Sequence, residues 1–210
     1  RAMTKLILIR HGQTEWNLAG RYQGQSNVAL SPDGIQQARQ LARNFPIDRL
    51  DAVYTSDLKR AAVTAAQLAE RFQCPLHPET ALREMDFGDW EGLTYEQIAA
   101  RWPEEVQNFF GHPEKLQAPH GETFARLQQR AMKEINEIVA RETGKTIAVV
   151  AHGAINRTIL TAVLHMSLHD LWTLRQDNTA VNILRFEDGY TMLELMNSTA
   201  HLPVPPKSLI

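Results

Sequence analysis

The sequence lacks the features of a secreted or membrane-bound protein. Cys74 is the one cysteine among 210 residues, so no disulfide can form within the chain, and such usage is typical of a reducing compartment. No stretch approaches the roughly 18 apolar residues that a membrane helix needs. The apolar run Leu6–Ile9 is also too short for the core of a signal peptide. We therefore expect a cytoplasmic protein without a membrane partner.

The sequence also has no excess of either charge. Its 22 Lys and Arg residues face 24 Asp and Glu residues, for a net charge of -2. Because nucleic-acid binders usually carry a basic excess, we expect no nucleic-acid partner. Hydrophobic residues make up 43% and charged residues 22% of the chain. These ordinary values exclude a disordered, collagen-like or coiled-coil chain.

No repeat, linker or low-complexity tract divides the chain. Its 210 residues match one domain by length. We therefore predict a single domain over residues 1–210, with a small helical cap inserted at about residues 84–120.

Short apolar runs predict the strands of a sheet. Three of them are typical of strands buried on both faces, as in a parallel sheet: Leu6–Ile9, Asp51–Ser56 and Thr146–Ala151. Leu76–Pro78 is predicted as an edge strand, since proline is tolerated only at edges. Residues 181–186 and 190–195 alternate around Asp188-Gly189, which indicates a C-terminal β-hairpin with a two-residue turn.

Helical periodicity and capping residues fill the intervals between these strands. Ser31 is expected to cap a helix that runs to about Asn44, and Asp57 the next one, over about residues 58–72. Two short helices are predicted within residues 94–118, and a long amphipathic helix over residues 121–142. A further helix is predicted over residues 154–164, and a short one follows with Ser167 as its cap. Strands that alternate with helices predict an α/β fold, a three-layer sandwich with a mostly parallel central sheet.

Two of the predicted strands end in the same pair of residues. His11-Gly12 follows the first strand and His152-Gly153 follows the third. In open α/β sheets, ligands bind outside the carboxyl ends of the strands, and glycine lets the backbone approach a ligand closely. One such pair alone is more often a turn. Two pairs at the ends of separate buried strands favour a functional site.

Arginine and glutamate near these histidines indicate phosphate chemistry. Arg10 directly precedes His11. Arg60 lies in the first turn of a predicted helix, where a cation is unfavourable unless an anion is near. The alternative interpretation of Arg60 is a solvated side chain on an exposed helix face. Guanidinium groups bind phosphate oxygens bidentately and should lower the pKa of His11, which keeps it neutral and nucleophilic. Glu84 lies in a loop and could protonate a leaving alkoxide if its surroundings raise its pKa.

Residues 8–17, LIRHGQTEWN, resemble the LxRHGxTxxN signature of the histidine phosphatase superfamily, also called phosphoglycerate-mutase-like proteins. The resemblance covers nearly the whole chain. It continues, in the same order, through Gln23-Gly24, Leu30–Gly34, Ser56–Ala61, Leu82–Glu84, Phe87–Gly92, Gly121-Glu122 and Val149–Gly153.

This resemblance implies a role for each matching position. His11 would be the nucleophile that becomes phosphorylated, and Glu84 the proton donor. The phosphate pocket would be formed by Arg10, Arg60 and His152, with further binding by Asn17, Gln23, Gly24 and the backbone at Gly153. No metal and no organic cofactor is implied, and the partner is a small phosphorylated substrate.

The family contains mutases and phosphatases, and the cap separates the two. The cofactor-dependent phosphoglycerate mutases carry a longer insertion with additional basic residues that hold a second phosphate and a carboxylate. Here residues 87–121 hold only Arg101 and Lys115 as permanent cations, besides His112 and His120. We therefore favour a phosphatase, with a phosphoglycerate mutase as the alternative and a non-catalytic phospho-ligand binder ranked last.

The C-terminal stretches, residues 171–182 and 195–202, look like the α-ribazole-5′-phosphate phosphatases of cobalamin synthesis and are also similar to small broad-specificity phosphatases. The sequence leaves the oligomeric state open, with a homodimer as one alternative.

Some residues have two interpretations. Trp90, Trp102, Phe109 and Phe110 could line a leaving-group pocket or belong to the core. His165 and His169 have the i,i+4 spacing of metal ligands, but we favour a surface pair because Ser167 would break the helix between them. The tail, residues 201–210, is expected to be loose.

Overall fold

Six strands form one mixed sheet in the computed structural model, which describes residues 2–206. The strands are β1 (Met3–Arg10), β2 (Ala52–Ser56), β3 (Leu76–Glu79), β4 (Thr146–Ala151), β5 (Val181–Glu187) and β6 (Tyr190–Ser198). Their order across the sheet is β3-β2-β4-β1-β5-β6. The β3–β2, β2–β4 and β4–β1 pairs are parallel, whereas β1–β5 and β5–β6 are antiparallel. The predicted α/β fold with a C-terminal hairpin is confirmed.

Seven α-helices connect and flank these strands within residues 2–206. They are α1 (Glu15–Ala19), α2 (Pro32–Arg43), α3 (Lys59–Phe72), α4 (Tyr95–Arg101), α5 (Pro103–Gly111), α6 (Phe124–Arg141) and α7 (Gly153–Val163). Short 3-10 helices span Thr80–Leu82, Gly88–Trp90, Pro113–Lys115 and Leu168–Thr173. The sequence did not predict α1, whose five residues are too few for a clear period.

Side-chain hydrogen bonds set the helix starts and correct two predictions. Ser31 caps α2 as predicted. Asp57 does not cap α3: the N-cap is Leu58, without a side-chain cap, and the carboxylate of Asp57 accepts two 2.7 Å hydrogen bonds from Arg83, 26 positions along the chain. The helix predicted from residue 121 begins only at Phe124, since Thr123 is its N-cap.

Alternate side chains of the central strand enter two hydrophobic cores, one on each face of the sheet. Leu6 and Leu8 of β1 pack on the face covered by α6, α7 and residues 82–118. Ile7 and Ile9 pack on the opposite face against α2 and α3. A strand buried on both faces reads as a continuous apolar run, which is why β1 was recognisable in the sequence.

The segment between residues 84 and 122 packs on the first of these cores. It contributes buried side chains from both of its helices and its loops, among them Trp90, Ile98, Val106, Phe109 and Leu116. Gly88 has a φ of +54°, and a Cβ there would lie 2.1 Å from the carbonyl oxygen of Pro119. This close approach of two backbone segments holds the two ends of the segment together.

The beginning of the C-terminal tail is not loose as expected. His201 is buried, and its Nε2 lies 2.9 Å from the hydroxyl of Thr179. The side-chain amide of Asn44 also donates to the backbone carbonyl oxygen of His201. The rest of that prediction, residues 207–210, lies outside the described residues. Within residues 2–206, no helix is both long enough and apolar enough to cross a membrane.

Candidate active site

The parallel pairing of β1 and β4 brings the two strand-end histidines together. Arg10 lies opposite Ala151 in the register, and the N–H of His11 donates to the carbonyl of Ala151 at 3.0 Å. His11 and His152 follow directly, with ring centroids 5.2 Å apart. Both side chains are buried, with exposed fractions of 2% and 0%. The sheet register therefore fixes this pair.

His11 is held as a neutral imidazole with one defined tautomer. Its Nδ1 lies 2.6 Å from the carbonyl oxygen of Gly12, which can only accept, so Nδ1 carries the proton. Burial lowers the pKa of His11 well below 6.5, and the charges of Arg60 and Arg10 lower it further. Nε2 consequently keeps a free lone pair at neutral pH.

His152 is also neutral, and a serine orients its ring. Its Nε2 lies 2.8 Å from the hydroxyl of Ser56 at the end of β2. Its Nδ1 is buried without a hydrogen-bond partner among the described residues. Burial lowers the pKa of His152 well below 6.5, and the charge of Arg60 lowers it further. When the Ser56 hydroxyl donates to Nε2, the proton lies on Nδ1, which can then donate to an anion.

Arg60 is a buried cation and not a solvated one. It is 1% exposed, and its Nη1 and Nη2 each donate at 2.6 Å, to the carbonyls of Ser26 and Gly24 respectively. Its Nε has no partner among the described residues. Burial lowers the pKa of Arg60 to about 10, so it stays protonated at neutral pH.

Arg10 lies buried beside the helix that follows His152. Its Nη1 donates to the carbonyl of Gln176 at 2.6 Å. Burial lowers the pKa of Arg10, while Glu84 and Asp177 act to raise it. A Cβ at Gly153 would lie 3.3 Å from the guanidinium carbon of Arg10, so glycine there permits this close packing.

Glu84 is tied to the first turn of α7. Its Oε2 accepts from the N–H of Ala154, and its Oε1 from those of Ile155 and Met85, each at 2.9 Å. The first N–H groups of a helix have no partner within it, so the carboxyl group satisfies two of them. This arrangement places Glu84 next to Gly153 at the same end of the sheet.

The chain after β1 supplies three further predicted site residues, which are Asn17, Gln23 and Gly24. Thr14 caps α1, and the backbone N–H of Thr14 donates to the side-chain carbonyl oxygen of Asn17. The Thr14 hydroxyl lies 2.7 Å from Oε1 of Gln23. Gly24 has a φ of +55° and directs its carbonyl to Arg60. The capping box of α1 thus orients both amide side chains.

These residues surround a cavity of about 330 Å³, a volume typical of small-molecule sites. All the predicted site residues line it except His152, whose ring packs against His11 instead. Seven aromatic side chains also line the cavity: Trp16, Tyr22, Phe87, Tyr95, Phe109, Phe110 and Trp172.

Only part of the expectation for the cap is met. Phe109 and Phe110 line the cavity, whereas Trp90 is fully buried in the core and Trp102 packs beside it. The cap cations Arg101 and Lys115 and the histidines His112 and His120 do not line the cavity.

The sequence analysis missed a third buried cation, Arg157. It lines the cavity and is 4% exposed. Its Nε donates to the carbonyl of Leu174 at 2.6 Å, and its guanidinium lies 4.9 Å from the ring centroid of Trp172. Burial lowers the pKa of Arg157 to about 9. Its place four residues after Gly153, on the same face of a helix, could have indicated it.

Together these groups suit the transfer of a phosphoryl group. The cavity presents a neutral nitrogen nucleophile, a carboxyl group and three buried guanidinium groups. Fixed cations stabilise the charge of a transferring phosphoryl group, most strongly in a site with little water.

Comparisons with known proteins agree with this chemistry. The model of the histidine phosphatase superfamily (branch 1) matches residues 6–199. Phosphoserine phosphatase 1 of Hydrogenobacter thermophilus is 33% identical over 200 residues, which cover 95% of each chain. The structure of Bacillus stearothermophilus YhfR matches with a TM-score of 0.90 at 32% identity, over 94% of this chain and 98% of that one. A candidate α-ribazole-5′-P phosphatase of Escherichia coli K-12 matches with a TM-score of 0.84 at 27% identity, over 93% and 96% of the two chains.

Proposed function

Since the chain belongs to the histidine phosphatase superfamily and is a phosphatase of the phosphoglycerate-mutase-like type, we propose that it hydrolyses a small phosphomonoester through a phosphohistidine at His11. The neutral state of His11 carries this proposal. A proton held on Nδ1 by Gly12 leaves Nε2 free to attack, and the lowered pKa keeps it free at neutral pH.

The first step transfers the phosphoryl group to the enzyme. Nε2 of His11 attacks phosphorus, and the bond from phosphorus to the leaving oxygen breaks. The carboxyl group of Glu84 gives a proton to that oxygen, so the leaving group departs as an alcohol. Arg10, Arg60 and the Nδ1–H of His152 bind the phosphoryl oxygens as the bonds change.

The second step returns the enzyme to its starting state. The carboxylate of Glu84 takes a proton from water as the water oxygen attacks phosphorus. The bond between phosphorus and Nε2 breaks, and its electron pair returns to Nε2. Inorganic phosphate leaves, Glu84 is protonated again, and His11 still carries its proton on Nδ1.

The nucleophile is tested with p-nitrophenyl phosphate in the presence of a chelator. We expect the His11→Asn variant to lose at least roughly 10³-fold in kcat/KM and to form no acid-labile phosphoenzyme after rapid quenching. His120→Asn is the matched control, because His120 is exposed and does not line the cavity. Unchanged turnover in His11→Asn would refute the mechanism. Phosphate binding by the wild type without any phosphoenzyme would favour the non-catalytic alternative.

For the substrate, we propose α-ribazole 5′-phosphate, as in cobalamin synthesis. The seven aromatic side chains support this assignment, because they suit a leaving group with a planar apolar ring. The C-terminal resemblance and the Escherichia coli neighbour point in the same direction.

Phosphoserine is a second candidate, and Arg157 favours it. A guanidinium group binds a carboxylate bidentately, and Arg157 lines the cavity beside Trp172. The relative from Hydrogenobacter thermophilus is named for this activity.

Measurements of kcat/KM for both substrates, on the wild type and two variants, distinguish the two candidate substrates. Trp172→Leu should lower kcat/KM about tenfold for α-ribazole 5′-phosphate and less for phosphoserine. Arg157→Met should do the reverse, because it removes a carboxylate partner at nearly constant volume. A wild-type kcat/KM that is higher for phosphoserine would overturn the first assignment.

The mutase alternative requires an assay of its own. In the presence of a bisphosphate primer, the isomerisation of 3-phosphoglycerate to 2-phosphoglycerate should be slower than the hydrolysis of a phosphomonoester substrate. None of the cap cations lines the cavity to hold a second phosphate. Mutase turnover that exceeds hydrolysis would contradict the phosphatase assignment.

A further inference from the structure

Three potential metal ligands converge on the surface outside the active-site cavity. His112 and Glu114 follow α5, and His169 lies in the 3-10 helix Leu168–Thr173. Nδ1 of His112 lies 3.4 Å from Oε1 of Glu114, and Nδ1 of His169 lies 3.1 Å from each oxygen of that carboxylate. The two imidazole rings are 5.5 Å apart between centroids. None of the three residues lines the cavity.

The spacing of these atoms suits a tetrahedral ion. With ligand bonds of about 2.0–2.1 Å, adjacent ligands of tetrahedral Zn²⁺ lie about 3.3–3.4 Å apart. The distances from histidine to carboxylate are 3.1–3.4 Å, and one ligand atom from each residue lies within 4.8 Å of the other two. The two imidazole nitrogens therefore need to come closer together, and each releases the proton that it shares with the carboxylate when the ion binds.

We propose that His112, Glu114 and His169 bind a divalent transition-metal ion of the Zn²⁺ class, with water as the fourth ligand. Imidazole nitrogen and carboxylate oxygen are ligands that such ions accept, and the side chains are exposed enough for an ion to enter.

His165 does not contribute to this site, although the i,i+4 spacing pointed to it. It lies just after α7 with a φ of +55°, so no continuous helix joins it to His169. The partners of His169 come instead from the cap segment, 55 positions away in the case of Glu114.

The ion would join two segments that form the aromatic wall of the cavity. His112 directly follows α5, whose Phe109 and Phe110 line that wall. His169 is three residues before Trp172, whose indole N–H donates to the carbonyl of Phe109 at 2.5 Å. Zn²⁺ would therefore fix the wall that contacts the leaving group without contacting the reacting phosphoryl group.

The site is tested by titrating the metal-free protein with Zn²⁺ by calorimetry and with Co²⁺ by visible spectroscopy. We expect one ion per chain and a tetrahedral Co²⁺ spectrum. His112→Ala, His169→Ala and Glu114→Gln should each weaken binding about tenfold or more. His120→Ala is the matched control, because His120 is exposed and pairs with Asp89 at 3.0 Å but belongs to no group of three ligands within residues 2–206. His165→Ala is a second control, and both should bind as the wild type does.

A second readout separates ion binding from folding. Zn²⁺ should raise the melting temperature of the wild type and of His120→Ala, but not of His169→Ala. The metal-free variants should retain the wild-type circular dichroism and phosphatase turnover. The proposal is overturned if the wild type binds no stoichiometric ion, if His112→Ala and His169→Ala bind as tightly as it does, or if the controls lose as much affinity.

Discussion

Lowering the pH from about 7.5 to about 5.5 should reduce the free energy of unfolding by about 4 kcal/mol, because three buried histidines stay neutral in the folded protein. They are His11, His152 and His201, with exposed fractions of 2%, 0% and 5%. Burial lowers the pKa of all three, to about 4 in the case of His201. In the unfolded chain each returns to its ordinary value of 6.5 and takes up a proton.

The sign and size follow from proton linkage. Well above pH 6.5 neither state binds these protons, so the histidines add no pH dependence there. As the pH falls through 6.5 only the unfolded state gains protons, and stability is lost until the folded pKa is reached. Between about pH 7.5 and 5.5 the loss is about 1.4 kcal/mol for each histidine. The ordinary pKa values of aspartate and glutamate, about 3.9 and 4.3, lie below this interval.

The assay is urea unfolding in phosphate-free buffers, followed by tryptophan fluorescence. The measured quantity is the difference in unfolding free energy between the two pH values, so a constant stability loss in a variant cancels. His201→Asn should reduce that difference by about one third, and the exposed His120→Asn should leave it unchanged. A wild-type difference below about 1.5 kcal/mol would refute the reasoning, because the buried histidines would then be protonated in the folded state.

Three substitutions test the packing around the site. Arg60→Met should lower kcat/KM for p-nitrophenyl phosphate about 10²–10³-fold, while the exposed neighbour variant Lys59→Met changes it little. Gly24→Ala should destabilise the protein by about 1–3 kcal/mol in urea unfolding, since φ is +55° and the new Cβ would lie 2.2 Å from Oε2 of Glu91. Trp90→Ala should lower the free energy of unfolding by about 3–5 kcal/mol, because the side chain is fully buried. For either stability prediction, a loss of unfolding free energy below about half of the stated value would contradict the described packing of that side chain. For Arg60→Met, a loss in kcat/KM well below tenfold would contradict its role in binding phosphate.

The elements that the sequence predicted best are those defined by local patterns. The continuous apolar run of β1 reflects burial on both faces, and Ser31 caps α2 through its own hydroxyl. His11 and His152 could be placed together because parallel neighbouring strands present their carboxyl ends at one edge. The strand run and the helix cap need only a residue and its near neighbours in the chain, and the histidine pair needs in addition only that both strands are parallel.

The elements that the sequence did not predict depend on distant partners. Asp57 belongs to a residue type that often caps helices, but the N-cap of α3 is Leu58 and the carboxylate of Asp57 binds Arg83 instead. The charge of Arg157 gave no indication of its burial, which depends on Leu174 and Trp172 across the cavity. Local propensity cannot anticipate such competition, because the partner is supplied only by the tertiary fold.

The position of β1 in the sheet has a consequence for the order of folding. This strand is made first, yet both of its neighbours, β4 and β5, begin more than 130 residues later, at Thr146 and Val181. At roughly 5–20 residues per second on the ribosome, β1 waits about 7–28 s for its first partner. During that time an apolar strand has two unpaired edges, the condition under which chains aggregate and chaperones bind. The strand that ends directly before His11 is thus without either partner strand until residue 146 is reached.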